Sequence, residues 1–385
     1  MLIYNHGPMH AEGALLKVPL NPKNRGKKWE LRSGDGTRLA VQQVGPSEGI
    51  CFLPVLPSGH VKKFQLRPAN PTREAAMKAE ATPASVKFTH NGKEIASYQI
   101  DSRDQAARQG AGPDFFRGGY LHPVFTPDGN FVTDDYATNH MHHHGIWTAW
   151  TKTAFEGRTP DFWNMGQKKA RVEHLKLIET WNGEVSSGLR ALLFYEDLKA
   201  LPPKTVLHEE WRLEFLNSHT ESTPYHLFDL TLSQTNVSGS PLELPTYHYG
   251  GLGFRGHAQI QGKNPWLILT SEGITDRIKA NESRGNWCDL SGLVDGKISG
   301  VTIFCHPGNF RAPQPMRVNP TEPFFCYAPQ QMGLFQIPPG GTYTARYRFL
   351  IHDGPISREQ ADRVFLGFSD TLFPKKTADA GNHMR

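Results

Sequence analysis

The chain has 385 residues, enough to bury a substantial core as one large domain or as two. Its net charge of +5 and sequence pI near 8.9 are mildly basic, but the charge is scattered. The nearest approaches to basic clusters, Lys23 to Lys28 and Lys168 to Arg171, are too short for a nucleic-acid stripe, and no apolar run nears the roughly 18 residues of a membrane span, so neither partner is expected.

Four cysteines, Cys51, Cys288, Cys305 and Cys326, lack C-x-x-C spacing, which leaves one or two disulfides or four buried thiols as equal readings. The N-terminus, Met1 to His6, lacks the basic and long apolar regions of a secretory signal.

Thirty-seven glycines and twenty-nine prolines punctuate short alternating apolar runs, the texture of an all-β chain rather than a helical or βαβ one. Residues 1–84 read as an N-terminal β extension whose last part, from about 67 to 84, is a connection rich in Arg, Lys, Ala and Pro. The main body, residues 85–372, begins with a hairpin: Val86 to His90 and Lys93 to Ile100 flank Asn91-Gly92, a type I′ turn signal. A second pair, Leu121 to Phe125 and Asn130 to Thr133, flanks Thr126-Pro127-Asp128-Gly129, where Pro pre-sets φ and Gly tolerates positive φ.

Next comes Asn139-His-Met-His-His-His-Gly-Ile-Trp147, with four of the eighteen histidines in five positions. The run is internal and interrupted by Met141, unlike a purification tag. Ile146, Trp147 and Trp150 favour a strand over 140–150, which puts His140, His142 and His144 on one face and His143 on the other. On a helix His140 and His144 would pair instead. Two chemistries fit: a divalent metal such as Zn or Cu held by His140, His142 and His144, or acid–base and hydrogen-bonding work by the imidazoles.

Farther on, Asp161-Phe162-Trp163 is a weaker polar–aromatic signal. Val206 to Phe215 alternates, with Leu207, Trp211, Leu213 and Phe215 on one side and His208, Glu210, Arg212 and Glu214 on the other. Glu209 falls on the apolar side, where a carboxylate must be paired or hold its proton, making it a general-acid or metal-ligand candidate. The plainer alternative is a buried ion pair with an arginine.

Tyr247 to Gly256 reads as a glycine-rich, pocket-lining strand carrying His248 and Arg255. Its Gly251-x-Gly253 lacks dinucleotide spacing, so no nucleotide cofactor is expected. Gly300 to Cys305 is a buried strand emptying into His306-Pro307-Gly308-Asn309, with His306 and Asn309 at its mouth. Tyr343 to Ile351 alternates as a further strand and leads to His352-Asp353-Gly354. A helix is signalled by Ser357 and Gln360 as a capping box with Ala361, Val364, Phe365 and Phe368 on one face; residues 373–385 read as a polar tail. This many strands calls for a large, twisted antiparallel two-sheet β-sandwich.

Tyr120 to Gly129, Asn139 to Trp147, Gly250 to Arg255, Gly300 to Asn309 and Tyr347 to Gly354 together resemble the PmoA-like family, a domain of unknown function also labelled methane oxygenase PmoA, over roughly residues 85–356. Asn139, Met141 and His144 stand where that family often has Asp, Pro and Arg, and His248-Tyr249 stands where Lys-Glu is common. The resemblance implies a β-supersandwich similar to galactose mutarotases and sugar-processing domains, and a periplasmic or secreted location. A membrane-embedded methane-oxidising subunit would need spanning helices, which this chain lacks.

The function expected is a carbohydrate-active enzyme, an epimerase, hydrolase or lyase, acting on a small-molecule or oligosaccharide substrate. His140, His142, His143, Glu209 and His306 are its acid/base candidates. Arg255 would bind a uronate or sulfate, Trp147 or Trp163 would stack on a sugar, and His248 and Asn309 would line the pocket. The alternatives are a non-catalytic carbohydrate-binding module and a copper-dependent oxygenase. An active centre requires the histidine segment, Arg255 and His306 to open into one cavity, whereas a shallow aromatic-lined surface with scattered histidines would favour the binding module.

Overall fold

Side-chain alternation builds the molecule from the inside out. On Lys204–Leu216, Leu207, Glu209, Trp211, Leu213 and Phe215 are all buried against a facing sheet, while His208, Glu210 and Arg212 stay half-buried on the other side. A computed structural model of the chain describes residues 1–5, 7, 9–22, 26–69, 75–218 and 225–369, together with the backbone of 372–375. Among the described residues, two eight-stranded sheets form the main body and a seven-stranded sheet lies beside them.

The first sheet, called here the site sheet, runs in the order Met316–Val318, Phe324–Tyr327, Gly251–Arg255, Ile146–Ala149, Tyr120–Val124, Lys93–Gln99, Ser85–His90 and Met77–Ala81. The second, the back sheet, runs Ala170–Trp181, Ser186–Asp197, Lys204–Leu216, Tyr225–Asn236, Thr342–Asp353, Lys297–Cys305, Trp287–Val294 and Leu267–Thr270. Neighbouring strands in both are antiparallel. The expected β-sandwich is therefore present.

One large hydrophobic cluster draws residues from both sheets. Phe88 of the site sheet stacks on Phe215 at 4.2 Å, and Phe215, Phe228 and Phe349, cross-strand neighbours in the back sheet, continue the stack at 4.7 Å steps. All four cysteines are buried free thiols, which settles the choice left open by their spacing.

The hairpin at Asn91-Gly92 forms as expected, with φ of 49° and 81° at its two central residues. The second hairpin is only half regular: the turn closes through Gly129 N–H to Thr126 O, but its return arm makes isolated bridges, Phe125 to Phe131 and Thr133 to Gly256. Within the stretch read as a connection, Met77–Ala81 is an edge strand, and residues 70–74 lie outside the described residues. The helix forms over Arg358–Phe368, and Ser357 accepts a hydrogen bond from Gln360 N at 3.1 Å. Two short helices, Arg103–Arg108 and Arg277–Ala280, had no clear periodic signal. In the stretch read as a tail, Leu372–Lys375 is a strand paired with Leu2–Asn5, and residues 376–385 lie outside the described residues.

The seven-stranded sheet packs on the outer face of the back sheet. Arg348, 1% exposed, donates to both oxygens of Asp229 at 2.6 and 2.8 Å and to Gly13 O, stitching Thr342–Asp353 to Ala11–Pro19. Gln42 accepts from Val185 N and Ser186 N and donates to Ser186 O. Removing one partner of such a pair strands the other charge. Arg348→Met should lower unfolding free energy by about 3 kcal/mol, read from the urea midpoint at unchanged slope. A change below about 0.5 kcal/mol would mean the clamp carries no load.

Candidate functional site

The site is built on the face of the site sheet that points away from the core. Ile146–Ala149 lies between Tyr120–Val124 and Gly251–Arg255. Thr148 points inward to Glu209, whereas Trp147 points outward, beside Trp163 at 4.8 Å and Phe324 at 6.1 Å. Gly253 stands directly across from Trp147, and a Cβ there would come within 2.8 Å of Trp163 and 2.9 Å of Trp147. The glycine-rich block is thus a steric requirement of the tryptophan pair.

The histidine segment is not a strand. His140 N donates to Ala137 O at 2.7 Å, His143 N to His140 O at 2.8 Å, and Tyr136 N to His143 O at 3.0 Å, so the chain makes two successive tight turns before the strand begins at Ile146. Tyr136 sits at φ 50°, and a Cβ at Gly145 would lie 2.1 Å from Leu121 O, so the chain bends sharply and passes close to its neighbour. Turn geometry, not alternation, sorts the imidazoles. His140 and His143 stack at 4.7 Å and 10°, with His142 edge-on to His143 at 4.8 Å. His143 rests in turn on Phe324 at 4.8 Å and against Trp147 at 5.4 Å.

His144 goes elsewhere. It is fully buried, its Nδ1 2.8 Å from Asp135 Oδ1 and its ring between Tyr120 at 4.6 Å and Tyr136 at 4.8 Å. Tyr120 donates to the other Asp135 oxygen at 2.7 Å. His144 thus turns away from the imidazole stack with which it was expected to share a face, its Nδ1 held by Asp135. Among the described residues no group of three or more His, Cys, Asp or Glu side chains is arranged to hold a metal ion.

Arg255 clamps the turns onto the sheet. It is 2% exposed, and its guanidinium reaches His143 Nδ1 at 3.4 Å, Asn139 Oδ1 at 3.3 Å and Glu322 Oε2 at 3.3 Å, with Asp134 Oδ2 3.9 Å away. Asn139 closes the ring by donating to Glu322 at 2.8 Å. Two carboxylates thus neutralise the guanidinium that the sequence suggested for an anionic sugar. Because Arg255 donates to His143 Nδ1, the His143 proton sits on Nε2.

Burial sets the protonation. Desolvation pushes His142 down to about 4, helped by His140, His144 and Arg255. It holds His143 and His144 well below the usual imidazole range and lowers His140 as well. Desolvation also raises Asp134, and raises Asp135 to about 6. At neutral pH the segment is a cluster of uncharged imidazoles, of which His140 and His142 are partly exposed.

The remaining candidates scatter. Glu209 is fully buried between the sheets, accepting from Thr148 and Tyr195 at 2.8 Å and from Gln234 at 3.0 Å; burial raises its pKa against those bonds and the charge of Arg117. Its hydrogen-bond partners are neutral donors rather than the arginine ion pair of the plainer reading, and Arg117 acts on it through its charge alone. His306 lies on the outer face of the back sheet, edge-on to Phe368 at 5.0 Å, its Nδ1 2.9 Å from both Gly308 N and Arg346 Nη2. Asn309 ties its turn to the Arg346 backbone at 2.7 and 2.8 Å. Neither meets Arg255, because strand alternation sends Cys305 into the core and His306 outward. Trp147 and Trp163, 0% and 2% exposed, form the floor beneath His143 rather than faces for a sugar. His248 is exposed and packs between Tyr247 at 4.4 Å and Tyr249 at 4.8 Å.

Several residues at this face escaped the sequence reading. Asp134 and Asp135, two adjacent acids just upstream of the histidines, carried a usable signal. Glu322 carried none, standing 67 residues from the arginine it meets. His122 points outward from Tyr120–Val124 with Nδ1 2.9 Å from Thr133 Oγ1, and Tyr249, half-buried, meets Trp163 at 5.5 Å and Asn164 Nδ2 at 3.4 Å.

Among solved structures, a polysaccharide lyase aligns at TM-score 0.34 and 9% identity over 77% of this chain, which spans 35% of the lyase's length. A galactose 1-epimerase from Lactobacillus acidophilus NCFM aligns at TM-score 0.27 and 9% identity over 89% of this chain and 100% of its own. No curated protein matches the sequence. The family model that matches gives a different assignment from the PmoA-like label suggested by the motifs: over residues 85–366 it identifies the chain as a member of the family of unknown function DUF6807.

Proposed function

We propose that the outer face of the site sheet is a carbohydrate-active centre at which His140 and His142 transfer protons as uncharged bases. The observation that carries this reading is the stack of imidazoles held neutral by burial, two of them partly open, above a floor of Trp147, Trp163 and Phe324. Burial weakens these rings as bases but keeps them unprotonated at neutral pH, so each has a ring nitrogen free to accept a proton from a sugar hydroxyl or from a carbon beside a carbonyl. Tyr247, His248 and Tyr249 supply the accessible aromatic edge beside this cluster, the role first given to the buried tryptophans.

Arg255, Glu322 and Asn139 act here as positioning residues, since each bonds to the turn or its clamp. A purely binding module gives no reason to desolvate four imidazoles.

Two measurements test the proposal. On whichever member of a panel of neutral and uronate-containing oligosaccharides is turned over by the parent chain, His142→Gln should lower kcat by about 10² to 10⁴. Unchanged turnover in both His142→Gln and His140→Gln would sink it.

The second concerns stability. His142 is neutral when folded down to about 4, against about 6.5 unfolded, so its contribution is present above pH 6.5 and is lost as pH falls toward 4. Asp135, raised to about 6, works in the opposite sense, gaining stability as pH falls, and is common to both proteins. Relative to the parent, His142→Gln should therefore gain roughly 2–3 kcal/mol between pH 7 and pH 4, measured as the difference in urea unfolding free energies. A pH-independent difference would show that His142 is not held neutral.

A further inference from the structure

Two motifs of the sequence, the strand that opens at Gly300 and His352-Asp353-Gly354, meet on the outer face of the back sheet, away from the histidine turns. Gly300 stands directly across from His352, and a Cβ there would come within 2.7 Å of the imidazole, so the glycine leaves the space that the ring fills. The ring crosses that space to Asp289 on Trp287–Val294, one strand farther on. Both residues are buried.

Both ring nitrogens of His352 face oxygen. Nδ1 lies 2.8 Å from Gly354 O and Nε2 lies 2.9 Å from Asp289 Oδ1. A carbonyl only accepts, so Nδ1 carries a proton. Asp289 also accepts from Thr302 Oγ1 at 2.8 Å and from Ser291 Oγ at 3.1 Å; these bonds favour its carboxylate, which leaves the second proton on Nε2. Burial acts to lower the His352 pKa, but Asp289, the Gly354 carbonyl and Asp353 outweigh it and raise it above the ordinary value. Other charges on this face are matched elsewhere. Tyr225, the cross-strand neighbour of His352, donates to Glu12. On the helix Arg358–Phe368, Asp362 accepts from Trp287 Nε1 at 2.8 Å and lies 3.7 Å from Arg358, while Arg363 lies 3.4 Å from Glu12 and 3.3 Å from Glu359.

The bond from Nδ1 to Gly354 O spans Asp353 and so fixes the end of its strand, where Gly354 sits at φ 69°. Asp353 Oδ2 in turn accepts from Asp128 N at 2.8 Å, and Lys297 pairs with Asp128 at 3.1 Å, tying the back sheet to the Thr126–Gly129 turn that follows Tyr120–Val124. We propose that His352 is a pH-sensitive latch, closed while both ring nitrogens carry protons and released, together with the Asp353 tie to the site sheet, when alkali removes one of them. The proton leaves to solvent, and the bare nitrogen then meets an oxygen lone pair. Because the folded pKa is raised, the contribution to stability is fully present below about 6.5 and is lost as pH rises through the higher folded value. The latch stands whether or not the histidine face is catalytic.

The test follows the His352 ring of the full chain by nitrogen-15 NMR across a pH titration. At pH 6 both ring nitrogens should be protonated, and the ring should titrate above about 6.5, the ordinary histidine value. Asp289→Asn should lower that midpoint, because burial then acts without the anion. Amide exchange reads the latch itself. Protection of Asp128 N–H should fall at least about fivefold as the ring deprotonates, while that of Asn91 N–H, bonded to Ala76 O at another turn of the site sheet, stays level. A midpoint at or below about 6.5, a ring nitrogen unprotonated at pH 6, an unmoved midpoint in Asp289→Asn, or Asp128 protection that ignores the titration of the ring would each overturn the proposal. Should Asp289→Asn fail to fold, the ring titration and Asp128 exchange of the parent chain decide the matter.

Discussion

The strict two-residue period of one short central strand organises both faces of this molecule. Ile146–Ala149 sends Thr148 inward to hold the carboxylate of Glu209 and Trp147 outward to floor the histidine turns. A slip of one residue would exchange these roles, placing an indole in the polar nest of the core and a threonine under the imidazoles. Gly253 on the adjacent strand fixes the outer arrangement, since nothing larger leaves room for Trp147 and Trp163. The interior hub and the surface site are therefore two consequences of one backbone register.

Desolvation is the second common theme. Some polar groups taken out of water in this structure are satisfied in small closed sets: Glu209 with Thr148, Tyr195 and Gln234; Arg348 with Asp229 and Gly13. The histidine turns differ. There burial removes the charge from the imidazoles without closing every hydrogen bond, and His140 Nδ1 is buried with no partner.

The sequence reading succeeded where one local rule governed. Asn91-Gly92 forced its turn because both central residues need positive φ, and Ser357 capped its helix because its oxygen reaches an N–H three residues on. The alternation around Glu209 correctly put a carboxylate in the core. It failed where tertiary contacts outvoted the local pattern. The residues 140–144 were read as strand because Ile146, Trp147 and Trp150 follow them, yet the chain turns twice before the strand starts, so His144 leaves the other three. His306, expected to share a cavity with Arg255, follows a strand of the other sheet.

Period, turn chemistry and composition determined the all-β architecture, several of its strands and the concentration of imidazoles at one place in the chain, because each depends on neighbours within a few residues. Only the tertiary structure decided which imidazoles share a surface, that Arg255 is answered by Asp134 and Glu322, and that His352 reaches Asp289 two strands away. Those pairings join residues far apart in sequence, and burial, which sets their charge, exists only once the sheets have packed.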